Sequence, residues 1–312
     1  MTDTKFYEDI TTAVQKHLGE DWTAELLTNV TKNNGTNRVA IILYKNDDKI
    51  RPQIYLEKYY EDYQRGKELQ EIVEEVLKMY KSAMKDINPK NLERLEEWTN
   101  IKERLALRIV SKERNQEELY NLVYEEICDL VAIATICVER NGEGVKSIRI
   151  TQDLARKWNV SNEEILEAAK ENTSKLFSPK IQDLYEFVQD MVDISKEELS
   201  QGQKNFPDLQ ILTNDLCING ATVILYDSFM KDVYERLGGK FIILPSSIHE
   251  VLVVPLEDSM YIPYLQEVVE SINQRFVAED EILSDNVYMY DGEKIVLAFD
   301  KNGVWHYEKN ND

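Results

Sequence analysis

Between positions 246 and 250 stand two serines, a histidine and a glutamate: Ser246, Ser247, His249 and Glu250, in the run Leu-Pro-Ser-Ser-Ile-His-Glu-Val. A serine beside a histidine suggests acyl transfer, with the imidazole as base and a carboxylate to orient it. Two features argue against that reading. Triad partners ordinarily come from separate elements, whereas these residues are nearly contiguous. No G-x-S-x-G elbow occurs either. In a turn, Ser246 and Ser247 more simply bond local backbone, and His249 caps or packs. The residues are therefore read first as structure, second as a ligand contact and third as catalysts, and no catalytic residue is assigned. Asn214, Asn219 and Asp285 fall near expected element ends. They could approach the His249 turn and form a polar pocket with it, although cap and turn roles are simpler.

Other chemistries find less support. A metalloprotease would need His where Val253 stands, and His17 and His306 lie in unrelated stretches. Asp47-Asp48 and Glu279-Asp280-Glu281 are acidic but lack calcium-loop spacing. Neither phosphate-binding glycine motif is present, and Gly142-Glu143-Gly144 places an acid where phosphate would sit. No metal and no cofactor is implied.

The elements that must position these residues can be read in order. Phe6, Ile10, Val14 and Leu18 give a helix stopped by Gly19. Strands over Trp22–Thr31 and Arg38–Tyr44 flank Asn33-Asn34-Gly35, a hairpin turn. Asn46-Asp47-Asp48 turns the chain, and Pro52–Leu56 is a short strand whose proline marks a strand start or an edge. The tyrosines of Glu57–Gln64 are read as packing rather than a ligand platform. Leu69, Ile72, Val73, Val76, Leu77 and Tyr80 make the stripe of a further helix. Leu92–Trp98 reads as a short helix, Leu105–Val110 as strand or helix, and Asn115–Tyr124 as helix. Asp129–Val138 is apolar on both parities, hence a buried strand, with Val145–Ile150 returning beside it. Thr151 and Ser161 are N-caps, the latter opening a capping box with Glu164. Pro179 ends that helix. A short helix over Ile181–Val192, a loop over Ser195–Pro207, a strand over Leu209–Thr213 and a helix over Ala221–Leu237 follow. Gly238-Gly239 stops that last helix. Two apolar strands then enclose the serine–histidine turn. Pro263 opens a helix, and Val287–Tyr290 with Ile295–Phe299 form a hairpin.

Composition bounds the rest. The chain has 312 residues, 37 basic against 58 acidic, for a net charge of −21. That field repels phosphate backbones, so nucleic acid and anionic membrane are poor partners, while a protein partner remains open. Cys128, Cys137 and Cys217 show no CxxC pattern and read as buried reduced thiols. No apolar run spans a bilayer and no secretory signal is recognised, so a cytoplasmic protein is expected.

Several stretches together carry a resemblance. They are the apolar strand from Asp129, the run Ile150–Leu166 with Ala169 and Asn172-Thr173, and Leu212-Thr213-Asn214 with Asn219-Gly220-Ala221. To these add the Gly-Gly stop, Ile-Leu-Pro-Ser-Ser-Ile-His-Glu-Val, and Glu281-Ile-Leu-Ser-Asp285 before Val287-Tyr288. The chain resembles an uncharacterised bacterial family of proteins of about this length, known only as a domain of unknown function. The likeness includes Pro52–Gly66 and most of the chain. More distantly, Trp158–Asn172 and the segment after Asn219 are similar to a second uncharacterised family of small cytosolic proteins. The resemblance implies an architecture, and it singles out the Pro-Ser-Ser-Ile-His-Glu segment, but it brings no activity.

The expected fold is α+β, with mixed or antiparallel sheets and packed helices in two modules, 1–125 and 126–300, before a polar tail at 301–312. The reading leans away from catalysis, toward a soluble binding or interaction protein. The alternatives are a small-molecule hydrolase using His249 with Glu250 or a serine, and an acidic inhibitor or decoy of a basic protein.

Overall fold

A computed structural model describes residues 3–46, 51–85, 97–141, 144–185, 187, 209–257 and 260–306. The chain forms two compact units, Met1–Glu96 and Glu97–Asp312. The sequence expectation put the boundary near 125. The pairing of Leu105–Ser111 with Leu130–Asn141 is what ties the stretch after 97 to the second unit.

In the first unit, helix Asp3–Leu18 buries Phe6, Tyr7, Ile10 and Val14. Gly19 takes φ 84° and ends it. Gln15 then ties the helix to the sheet: its Nε2 donates to the Trp22 carbonyl at 2.9 Å and its Oε1 accepts the Ala24 N–H at 2.7 Å. Strands β1 (Thr23–Thr31) and β2 (Asn37–Tyr44) form the expected hairpin, with Asn34 and Gly35 at φ 61° and 66°. Among the described residues strand β3 (Gln53–Tyr55) pairs with β2 alone, as a strand after Pro52 should. Rings of Tyr60 and Tyr63 lie 5.3 and 5.1 Å from that of Phe6, so the tyrosine cluster packs the core. Helix Leu69–Lys85 presents Ile72, Val73, Val76, Leu77 and Tyr80 to the same core. Asp47-Asp48 and 86–96, with most of the short helix expected at Leu92–Trp98, lie outside the described residues.

Among the described residues the second unit holds two sheets. Strands β4 (Leu105–Ser111), β5 (Tyr124–Ile127), β6 (Leu130–Asn141) and β7 (Gly144–Arg149) make one. Strand β6 is its spine, flanked by β4 on one side and by β5 and β7 on the other. Its first eight residues are buried, which explains the apolar run on both parities. The outer edge of β4 is covered by side chains. Thr173 Oγ1 accepts the Leu107 N–H at 2.8 Å, and Thr222 Oγ1 accepts the Ile109 N–H at 3.2 Å.

Strands β8 (Pro179–Asp183), β9 (Gln210–Asn214), β10 (Phe241–Leu244), β11 (Val251–Pro255), β12 (Val287–Tyr290) and β13 (Ile295–Phe299) make the other, in the order β13-β12-β10-β11-β9-β8. Every strand pairing among the described residues is antiparallel. One face of this sheet, with Phe241, Ile243, Val251 and Val253, packs on Met230 and Val233 and shares its core with Ile109 and Leu130. The opposite face, with Ile242, Leu244, Val254 and Met289, packs on Leu265 and Val269 of helix Ile262–Phe276. Each such fully buried side chain stabilises by roughly 1.5–3 kcal/mol.

Both expected caps form: Thr151 accepts the Leu154 N–H and Ser161 the Glu164 N–H, each at 3.2 Å. Four expectations need correction. The helix over Asn115–Tyr124 is a single turn, Gln116–Leu119. Pairing with β6 draws the following residues into β5 despite their two glutamates. Residues 181–183 of the helix expected at Ile181–Val192 belong to β8, because Ile181 pairs with Leu212. Most of the remainder, and the loop at Ser195–Pro207, lie outside the described residues. The helix over Ala221–Leu237 is interrupted: Gly220–Leu225 is a 3-10 segment, Tyr226 is extended, and only Asp227–Arg236 is α-helical. Gly238 and Gly239, at φ 76° and 144°, stop it as expected. Finally, Cys137 is buried but Cys128 and Cys217 are exposed. Both sit at turn positions with φ near 55° and 54°, where the chain reverses at the surface. No described helix is long and apolar enough to cross a membrane.

Candidate functional site

The turn between β10 and β11 is clamped on two sides by backbone. On one side, Ser284 N–H donates to the Pro245 carbonyl, Leu283 N–H to the Ser246 carbonyl, and Ile248 N–H to the Glu281 carbonyl, at 3.1, 3.3 and 2.9 Å. On the other, the Ile248 carbonyl accepts the Ala221 N–H at 3.2 Å, and the His249 carbonyl accepts the Thr213 hydroxyl at 2.8 Å. Gly220 is where these pieces meet. A Cβ there would lie 2.1 Å from Thr213 Oγ1 and 2.3 Å from the His249 oxygen, so only glycine fits.

The side chains follow from that clamp. Ser247 is buried, and its hydroxyl oxygen accepts the His249 N–H at 2.9 Å. His249 Nδ1 accepts the Asn219 N–H at 3.3 Å, so a neutral ring carries its proton on Nε2. That nitrogen faces Glu281 Oε1 at 3.4 Å. Burial pushes the Glu250 carboxyl up, and the neighbouring His249 and a hydrogen bond from Ser247 pull part of the way back.

Among the residues expected in a polar pocket, Ser247, His249, Glu250 and Asn219 come together. Asn219 takes the left-handed conformation, φ 51° and ψ 30°. Asn214 is 2% exposed and is spent on its own loop. Its Oδ1 accepts the N–H groups of Leu216 and Ile218, and its Nδ2 donates to the Ile218 carbonyl. The Ser246 backbone joins the clamp. Asp285 belongs to a different network: its carboxylate takes Arg114 Nη2 at 3.0 Å and Asn273 Nδ2 at 2.7 Å.

Beside the turn lies a narrow cleft, with about 20 Å³ of space open to water-sized groups. Asn214 and Asn219 line it, together with Arg108, Thr135, Ser147 and Thr222. His249 does not line it and touches it only through the Asn219 backbone. Sequence reading missed Arg108, Thr222 and the facing role of Glu281. A signal for Arg108 was present: a cation inside Leu-Ala-Leu-Arg-Ile-Val. Its Nε is sealed from solvent and has no hydrogen-bond partner among the described residues. Burial first, then the like charge of Arg149, lowers its pKa to about 10, against the opposing pull of Glu118 and Asp280. It therefore stays charged at neutral pH. Among the described residues, no group of three or more His, Cys, Asp or Glu side chains could hold a metal ion.

Neither the curated proteins nor the solved structures include a match to this chain. A family model does match, over residues 3–292, and it spans both units and every residue of the turn and cleft. The chain belongs to DUF5688, a family of unknown function.

Proposed function

We propose that the Glu97–Asp312 unit is a binding module whose ligand occupies the cleft beside Asn219. One observation carries the reading: a concave surface with polar side chains on it, held in shape by the clamp around Gly220. Amide NMR spectra of the full chain, titrated with a library of small polar metabolites, test it. The expected result is saturable movement of the Asn219 and Thr222 amides while the Met1–Glu96 unit stays unmoved. A library in which no compound moves those amides overturns it.

A second reading keeps hydrolysis, with the Glu281 carboxylate as base and the His249 Nε2–H, 3.4 Å from it on a separate element, orienting it. Water would be the nucleophile, since the Ser247 hydroxyl is buried and already engaged. Turnover of aryl esters that disappears in His249→Ala would establish it. Absence of turnover across aryl esters and aryl phosphates removes it.

A further inference from the structure

Arg108 lies on the face of β4 that also carries Ala106 and Val110. Ala106 packs with Cys137 and Phe177, and Val110 with Leu119 and Leu122, so the arginine stem passes between two apolar clusters. A guanidinium has five N–H donors in a planar fork and accepts nothing. Among the described residues Arg108 makes no hydrogen bond and no ion pair. Arg108 is half-buried with its Nε sealed from solvent, and leaving a buried donor without a partner is unfavourable. Natural structures satisfy buried polar groups, and the few exceptions mark an absent ion, water or ligand.

The rest of the lining divides in a consistent way. Thr135, Thr173 and Tyr226 donate their hydroxyl protons to backbone carbonyls, and Asn214 is committed to its loop. What remains can donate, the exposed Ser147 hydroxyl included. The Thr222 hydroxyl accepts the Ile109 N–H and leaves its own proton uncommitted. The Asn219 side-chain amide has no partner among the described residues. Although the chain holds 58 acidic residues, no Asp or Glu lines the cleft.

We infer that the cleft is a receptor for a small oxyanion, a carboxylate or a phosphate group, held by the Arg108 guanidinium with the Thr222 hydroxyl and the Asn219 amide. The inference rests on the binding reading above and names the ligand class. A planar fork suits two oxygens of one such group; the sealed Nε is out of a ligand's reach, so the contacts fall to the two Nη groups. Arg149, the next cation, is already paired with Glu118 and so leaves the anion to Arg108.

The test uses the full chain in low-salt buffer with acetate, oxalate, inorganic phosphate and, as a neutral counterpart, acetamide. It reads the Arg108 Nε–H resonance and the thermal midpoint. At least one anion is expected to move the Nε–H saturably and to raise the midpoint. Its affinity should be weakened about tenfold or more in Arg108→Met. Oxalate and acetate against phosphate identify which oxyanion fits. An Nε–H unmoved by every anion overturns the inference, as does an equal rise of the midpoint in wild type and Arg108→Met. Should Arg108→Met fail to fold, the wild-type Nε–H alone decides. If acetamide moves the Asn219 and Thr222 amides as strongly as the anions do, the oxyanion inference falls while the binding reading stands. If no probe moves them, both fall.

Discussion

Tyr288 and the Nε of Arg108 are both sealed from water within the same unit, and the protein treats them oppositely. Around Tyr288, 1% exposed, every group is answered. Its hydroxyl donates to Asp129 Oδ1 at 2.5 Å and meets Ser284 Oγ at 2.8 Å. Asn286 Nδ2 donates to the other Asp129 oxygen at 2.7 Å, and Asn286 Oδ1 accepts the Lys301 N–H at 2.7 Å. Burial and the Asp129 charge hold the phenol well above its ordinary range, so it remains a donor. This network closes on itself and joins the β5–β6 turn to β12. Arg108 has no such closure. A satisfied network specifies a fold, whereas an unsatisfied donor set next to a cleft is space left for something else.

That contrast can be broken or sharpened by substitution. Asp129→Ala leaves the Tyr288 hydroxyl and the Asn286 amide without their acceptor, and should cost about 2–4 kcal/mol in urea unfolding. A loss under about 1 kcal/mol would mean the network is decoration. His249→Ala should cost about 1 kcal/mol, because the Asn219 N–H loses its acceptor in a partly exposed place; circular dichroism melts read it. Arg108→Met should differ in sign: without anion, the variant melts at or above wild type, since the stem's packing is kept and an unpaired cation is removed. A large loss of stability there would place Arg108 in the same class as Tyr288.

The smallest effect concerns Glu250. Its folded carboxyl is raised above the ordinary value, so the folded state holds the proton more tightly than the unfolded one. Stability contributed by that carboxyl is therefore greatest at acid pH and declines as pH rises from the ordinary carboxylate range through the raised value. Glu250→Gln should flatten that decline in a series of urea titrations across pH. An unchanged slope would show that Glu250 is not its source.

How much of this was readable in advance depends on the range of the interactions. The Thr151 and Ser161 caps, the Gly238-Gly239 stop and the buried β6 are local features, set by neighbouring residues, and all form as expected. The approach of Asn219 to His249 was also within reach, since both stand beside the same pair of strands. Arg108 was not, because its environment is assembled from afar. Thr222 meets the Ile109 N–H across 113 positions, and no periodicity encodes that. The broken helix at Tyr226 has the same origin. Its tyrosine hydroxyl bonds to the Phe177 carbonyl, and the 3-10 turn before it is held by Ile248. Tertiary contacts there override a helical pattern that the residues alone would support.

Strand β6 has one more consequence, and it concerns time rather than stability. It is joined to β5 by the two-residue turn Cys128-Asp129, and β7 follows it closely in the chain. Short loops close early, so these pairings form before the six-stranded sheet, whose β8 and β9 are separated by a long connection. Folding should thus begin at β5–β6–β7. Ile133→Val is expected to slow refolding, while Val296→Ala at the edge hairpin mainly speeds unfolding, as stopped-flow kinetics would read. The same order of events would finish the floor of the cleft before its walls.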